Sequence, residues 1–212
     1  IKGHVTLGSL RLRQDYLIAE GLLAPYKNGT KVPKDMQEIA LARLRQLVAH
    51  EIGHTLGLSH NFASSVNNRA SVMDYPHPLI KVKNNGTIDW SDAYATGIGE
   101  WDKVSIQYGY SDFAPGTDEK AALNKILQDA IKKGLYYISD QDARPTGGAH
   151  PLAHLWDNGT NAADELNRVM KLRAKALQNF SEKNIRIGEP MSSLEDVLVP
   201  IYLLHRYQIE AA

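Results

Sequence analysis

At 212 residues, 43% hydrophobic and 23% charged, the chain has room for one substantial domain or two small ones and an ordinary globular core, which excludes the disordered class. Lys plus Arg and Asp plus Glu both number 24, so the formal net charge is zero and no basic field points to nucleic acid or an anionic membrane. Cysteine is absent, which excludes disulfides and thiolate metal sites and leaves histidine and carboxylate as candidate metal ligands; no apolar run reaches the length of a membrane span.

Residues 1–7 alternate Ile1, Gly3, Val5 and Leu7 with Lys2, His4 and Thr6, the pattern of a half-buried strand. Ser9 is placed to cap a helix running to about Leu23, after which Pro25, Asn28 and Gly29 mark a loop. Pro33 suits the first turn of the next helix, which carries Ile39, Leu44, Leu47, Val48 and Ile52 before Leu56.

That second helix carries the most informative segment, His50-Glu51-Ile52-Gly53-His54-Thr55-Leu56-Gly57-Leu58-Ser59-His60, which spells HExxHxxGxxH. At 3.6 residues per turn, His50 and His54 stand one turn apart on one face and can reach a single metal ion. Glu51 follows the first ligand directly, so its carboxylate projects beside the imidazoles as a candidate general base. Gly57 can take φ > 0, end the helix and turn the chain so that His60 supplies a third ligand. Three neutral imidazoles leave one position of a tetrahedral zinc ion open, where zinc lowers the pKa of water from 15.7 to about 7. Two histidines at helical spacing are more often packing residues than ligands, but five fixed positions together favour the metal reading.

Thirteen residues beyond His60 lies Met73, within Ser71-Val72-Met73-Asp74-Tyr75. With this second element the chain resembles the metzincin zinc peptidases, whose long histidine motif is followed by a methionine turn. The resemblance assigns Met73 to the hydrophobic floor beneath the histidines. It also places Tyr75 where astacin-like and serralysin-like members carry a tyrosine that binds the zinc or stabilises the oxyanion. Further similarity, in Leu7–Tyr16, Leu56–Ser65, the Met73–Pro76 turn, Trp156–Gly159 and Leu204–Gln208, is to a family of large, exported bacterial metzincins and extends along nearly the whole chain. The resemblance implies a peptide or protein substrate and an exported location, whether periplasmic, cell-surface or secreted. It also implies that residues 1–7 form the sheet edge along which an extended substrate adds as a strand.

Further on, Asn84-Asn85-Gly86 is a turn signal between short strands at Ile80–Val82 and Thr87–Trp90. Lys81 and Lys83 fit a solvated strand face better than a pocket wall. Residues 99–109, ending in Tyr108-Gly109, resemble the helix that closes metzincin catalytic domains. From Thr117 the pattern is helical, with Leu123, Ile126, Leu127, Ala130 and Ile131 on one face and Gly134 as stop. Helices follow from Asn161 and from Ser192, the latter with Glu195 completing a capping box and Pro200 as a kink. Asp140–Pro145 and Trp156–Gly159 lack the acidic spacing of a calcium loop and read as hydrogen-bonding anchors. Asn-x-Ser/Thr triplets at Asn28, Asn85, Asn158 and Asn179 are mostly Asn-Gly-Thr turns, which a bacterial chain would leave unglycosylated. The histidines outside the motif, His4, His77, His150, His154 and His205, read as surface or packed residues, with His77 near enough to the methionine turn to meet substrate.

The expected fold is α+β and mainly helical. A partial metzincin catalytic domain over 1–110, with edge strand, active-site helix, methionine turn and closing helix, precedes a helical C-terminal subdomain over 111–212. Only 49 residues precede His50 and they offer one strand, so the upper sheet is expected to be incomplete and the isolated piece weakly active. Ile1 is neither an initiator Met nor part of a signal-like segment, which fits a processed or excised piece whose upstream part completes the domain. The expected function is a zinc-dependent endopeptidase. His50, His54 and His60 are ligands, Glu51 is the general base, Tyr75 supports the oxyanion, and Gly57 and Met73 support the site. Two alternatives remain at this point: a zinc hydrolase with a carboxylate third ligand such as Asp74, and a non-catalytic helical binding module of a larger surface protein with a structural or empty metal site.

Overall fold

The computed structural model describes residues 3–27, 29, 34–143 and 150–212. Eight α-helices and one two-stranded sheet lie among the described residues, so the chain is a mainly helical α+β protein. None of these helices is long and apolar enough to cross a membrane.

Contacts divide the chain into two compact units that do not follow chain order. One comprises residues 1–5, 48–77 and 97–161; the other comprises 6–47, 78–96 and 162–212. The sequence division after residue 110 is a cut along the chain, and each unit draws residues from both sides of it.

In the second unit, α1 (Ser9–Leu23), α6 (Ala162–Gln178) and α7 (Ser193–Tyr202) surround an apolar core of Leu22, Ile80, Ala93, Val169, Leu172, Ala176, Ile201 and Leu204. Ala19, Met36 and Ile39 form a smaller cluster where α1 meets the early part of α2 (Lys34–Thr55). The hairpin forms as the turn signal implies: β1 (Lys81–Val82) pairs antiparallel with β2 (Ile88–Asp89), and Gly86 takes φ +79° in the turn. Lys83 pairs with Asp89 at 3.3 Å on the solvated face, and Lys81 is exposed. A terminal helix, α8 (Arg206–Ala211), closes this unit.

The first unit holds the end of α2, the loops from Leu56 to His77, α3 (Glu100–Tyr110), α4 (Glu119–Lys132) and the one-turn α5 (Asp140–Ala143). Ala70, Ala130 and Leu135 are its buried apolar cluster, with Trp101 and Val104 packed on it. Asp118 caps α4 by accepting from the Ala121 N–H at 3.0 Å, and Gly134 stops it at φ +75°.

Several local expectations differ from the structure. Residues 3–7 form no strand; a strand needs a neighbouring backbone to bond, and no strand pairs with them among the described residues. Ser9 is the first helical residue and Gly8 the N-cap, without a side-chain bond. Ser192 is the N-cap of α7, but its backbone is at φ −60°, ψ −25° and its side chain makes no cap hydrogen bond, so the capping box with Glu195 does not form. Helix α7 runs two residues past Pro200 before ending. Ile1, Lys2, Asn28, Pro33, Arg144 and Pro145 lie outside the described residues.

Candidate metal centre

The site starts from the end of α2, whose last turns carry His50, Glu51 and His54. The helix stops in a Schellman motif: the Leu58 N–H donates to the Gly53 carbonyl at 3.1 Å and the Gly57 N–H to the His54 carbonyl at 3.0 Å. Gly57 sits at φ +85°, a left-handed conformation that a β-carbon disfavours. The chain turns there and brings His60 back, its ring centroid 5.3 Å from that of His50 and 4.8 Å from that of His54.

One ring nitrogen from each of His50, His54 and His60 lies within 4.8 Å of the others. In each ring Nδ1 is already engaged. His50 Nδ1 donates to the Val72 carbonyl at 2.8 Å, His54 Nδ1 to the Leu58 carbonyl at 2.8 Å, and His60 Nδ1 faces Asp140 Oδ2 at 2.7 Å. A carbonyl can only accept, so His50 and His54 carry hydrogen on Nδ1 and present the lone pair of Nε2. His60 Nε2 is buried without a hydrogen-bond partner. Three imidazole nitrogens in one cluster, each ring held by an oxygen behind it, fit the donor set of a zinc site. Burial, the largest influence on His50, pushes its pKa below the ordinary value and so favours the neutral, ligating form.

The methionine turn lies against this helix end. Met73 is buried, and a β-carbon on Gly53 would overlap its Sδ, so Gly53 is the position that lets the methionine reach the helix. The turn is fixed by buried polar side chains. Asp102 accepts from the Val72 N–H at 2.9 Å and from Ser71 Oγ at 2.6 Å. Asn61 donates its N–H to the Met73 carbonyl at 3.0 Å, and Ser64 Oγ donates to Asp74 Oδ2 at 2.6 Å. Asp74 is fully buried, and burial outweighs its hydrogen bonds, pushing its pKa up to about 7. It is not among the clustered metal-binding groups.

Tyr75 is half-buried with its ring centroid 4.7 Å from His60 and 5.5 Å from His50, and it stacks on Trp156 at 5.2 Å. The Trp156 N–H donates to the Tyr75 carbonyl at 2.8 Å. Glu51 is half-buried on the same helix as His50 and His54. A cavity of about 470 Å³ opens on His54 and His60, lined also by Tyr137, Ser139, Asp140 and Asp142.

With its long histidine motif closed into one cluster and a buried methionine packed against Gly53 of the same helix end, the chain can be compared with known families. The model of the Met-zincin family matches residues 32–212. The chain belongs to the Met-zincin family. Neither a curated protein nor a solved structure matches it. Met-zincins are metallopeptidase-type proteins that use zinc, and the three histidines of this member can bind such an ion.

Two residues of this Met-zincin make contacts that the sequence does not assign: Asp140 reads there only as part of a hydrogen-bonding anchor, and Gly53 is not singled out. Asp140 stands 80 positions from the histidine it orients, and only folding brings them together. Gly53 lies inside the motif, at one of its unspecified positions. The anchor reading of the later loops holds: Asp157 accepts from Ser65 Oγ at 3.2 Å, and Asn158 Nδ2 donates to the His77 carbonyl at 2.8 Å. His77 itself is buried, which removes it from substrate contact.

Proposed function

We propose that this chain is a zinc-dependent endopeptidase. The observation that carries the reading is the commitment of all three Nδ1 atoms to oxygen partners, which leaves the three Nε2 atoms of one close histidine cluster as the ligating nitrogens. His50, His54 and His60 would hold the metal. Zinc, when bound, polarises the scissile carbonyl and acidifies water.

Glu51 takes a proton from the attacking water on its carboxylate and returns it to the amide nitrogen that leaves. The Tyr75 hydroxyl donates to the developing oxyanion, and stacking on Trp156 holds its ring. Gly57 and Met73 act on geometry alone, through the helix stop and the packing beneath Gly53. The same reading takes the chain as part of an exported polypeptide whose upstream segment completes the sheet; finding it in the cytoplasm of the producing cell would remove the location.

The test has two stages. Elemental mass spectrometry should find close to one zinc per wild-type chain and little in His54→Ala prepared identically. A peptide mixture should then be cleaved by wild type joined to its upstream segment, with a loss of at least a hundredfold in Glu51→Ala at unchanged zinc content. Bound zinc with no cleavage in either form would replace this reading with a non-catalytic binding module.

A further inference from the structure

The histidine-bearing unit contains a second cavity, of about 990 Å³, at the upper end of the roughly 300–1,000 Å³ range of ligand pockets. Its walls are the loop after α2, the exposed side of α3, the end of α4 and residues 135–138. It adjoins the cavity at the histidines: Leu58, Ser59 and Tyr137 line both. Leu58 also provides the carbonyl that orients His54, so one loop shapes the metal ligand and the trough beside it.

The lining keeps large apolar groups in water. Tyr108 is 42% exposed, Tyr137 49% and Ile131 60%. Leaving such groups exposed together around one concavity marks an interaction site. The walls are also braced. Tyr110 donates its hydroxyl hydrogen to the Leu56 carbonyl at 2.9 Å, and Tyr137 stacks on Trp101 at 5.4 Å.

We propose that this trough is a substrate-binding site that selects peptide segments carrying bulky aliphatic or aromatic side chains close to the scissile bond. The proposal rests on the endopeptidase reading and names the substrate class for the same centre. Two features favour a peptide as the occupant. The trough shares three lining residues with the cavity on His54 and His60, so a chain cut at the histidines has its flanking residues within reach of these walls. Ser59, Ser105 and His150 interrupt the apolar lining, giving hydrogen-bonding partners that a peptide backbone needs and an acyl chain does not. The tyrosines offer flat apolar faces with a polar tip, which suits side chains of mixed shape.

Two substitutions probe the trough without touching the histidines. Ile131→Glu puts a charge on an exposed wall, and Ser105→Trp fills space from α3. For zinc-loaded protein joined to its upstream segment, kcat/KM is measured on peptide pairs that differ only by Phe or Leu against Ala beside the cleaved bond. Wild type should prefer the bulky member at least tenfold, and Ile131→Glu should reduce that ratio to below threefold at unchanged zinc content, with Ser105→Trp as an independent second variant. A wild-type ratio below threefold, or a ratio unchanged in both zinc-loaded variants, overturns the proposal and leaves the endopeptidase reading standing. If no peptide is cleaved, the catalytic reading fails and the trough is tested by itself, by anisotropy of a fluorescent Phe- and Leu-rich peptide. Saturable binding that Ile131→Glu weakens tenfold supports the site. No saturable binding, binding that Ile131→Glu leaves unchanged, or saturable binding only of a fluorescent fatty acid overturns it.

Discussion

The unit that bears the histidines is organised around buried polar side chains, whereas the unit containing α1, α6 and α7 is organised chiefly around buried aliphatic ones. In the first, Asp102 alone accepts from the Gly99 N–H, the Val72 N–H and Ser71 Oγ, while Asn61 accepts from the Ala63 and Ile138 N–H groups and donates to the Tyr136 carbonyl. In the second, Leu22, Val169, Leu172 and Ile201 are almost fully buried against one another. The difference follows from what each unit has to place. A helix satisfies its own backbone, so packing its apolar face is enough. The loops that bring Val72, Met73, Tyr75 and His60 to the metal centre have no such ladder, and their backbone groups need side-chain partners.

The largest effects should come from attacking each unit by its own means. Asp102→Ala leaves the buried Val72 N–H, the half-buried Gly99 N–H and the buried Ser71 hydroxyl without their acceptor, and each buried group costs about 1–3 kcal/mol, so a loss of about 3–5 kcal/mol is expected. Because the Val72 carbonyl orients His50, zinc content should fall with it. Urea unfolding and elemental analysis check both; a loss under about 1 kcal/mol, in the range of an ordinary surface change, would sink the polar account. Leu172→Ala, at a position 1% exposed, should cost about 2–5 kcal/mol by leaving a cavity. It should leave zinc per folded chain near the wild-type value. Loss of zinc equal to that of Asp102→Ala would erase the contrast.

Asp140→Asn sharpens the comparison inside the first unit. It keeps the shape of the side chain but removes the charge facing His60 Nδ1 at 2.7 Å. Losing such an outer partner typically weakens metal affinity 10–100-fold, about 1.4–2.7 kcal/mol. Chelator competition should show that weakening with the unfolding midpoint of the metal-free chain almost unchanged. Unaltered affinity would mean that the helix and the Gly57 turn alone hold His60.

The same contrast decides what could be read from the sequence. Helices α2, α4 and α6 were legible because apolar residues recur along one face, α1 from the loop residues that follow it, α3 only through the family resemblance, and the hairpin because Asn84-Asn85-Gly86 needs little context. The centre was legible where spacing along one helix and one glycine turn determines it, which covers His50, His54 and His60. It was not legible where the partner is distant: nothing near Asp140 signals His60, and nothing in Gly99–Asp102 signals the methionine turn that Asp102 secures. The strand expected at residues 1–7 shows the converse error, because alternation records which face could be buried but not whether a neighbouring strand is there to bond.

The smallest expected effect concerns Asp74, the buried carboxyl of the methionine turn. Its folded pKa of about 7 lies above the ordinary 3.8, with burial as the main cause. The native state therefore holds a proton that the unfolded chain releases, so the stability linked to this group is fully present below pH 3.8 and is lost as pH rises through about 7. Between pH 6 and pH 8 the native group passes from mostly protonated to mostly ionised, which should lower unfolding free energy by about 1.4 kcal/mol. Other groups titrate in this window, so the informative quantity is the difference between wild type and Asp74→Asn, which has no carboxyl to ionise. Urea unfolding of both metal-free chains at the two pH values should show wild type losing about 1.4 kcal/mol more than the variant. Parallel losses would show that Asp74 is already charged in the folded protein, held by the donors of Ser64 and Tyr75 against the cost of burial. In that event the polar network of this unit is stronger than burial alone implies, and the contrast with the aliphatic unit widens.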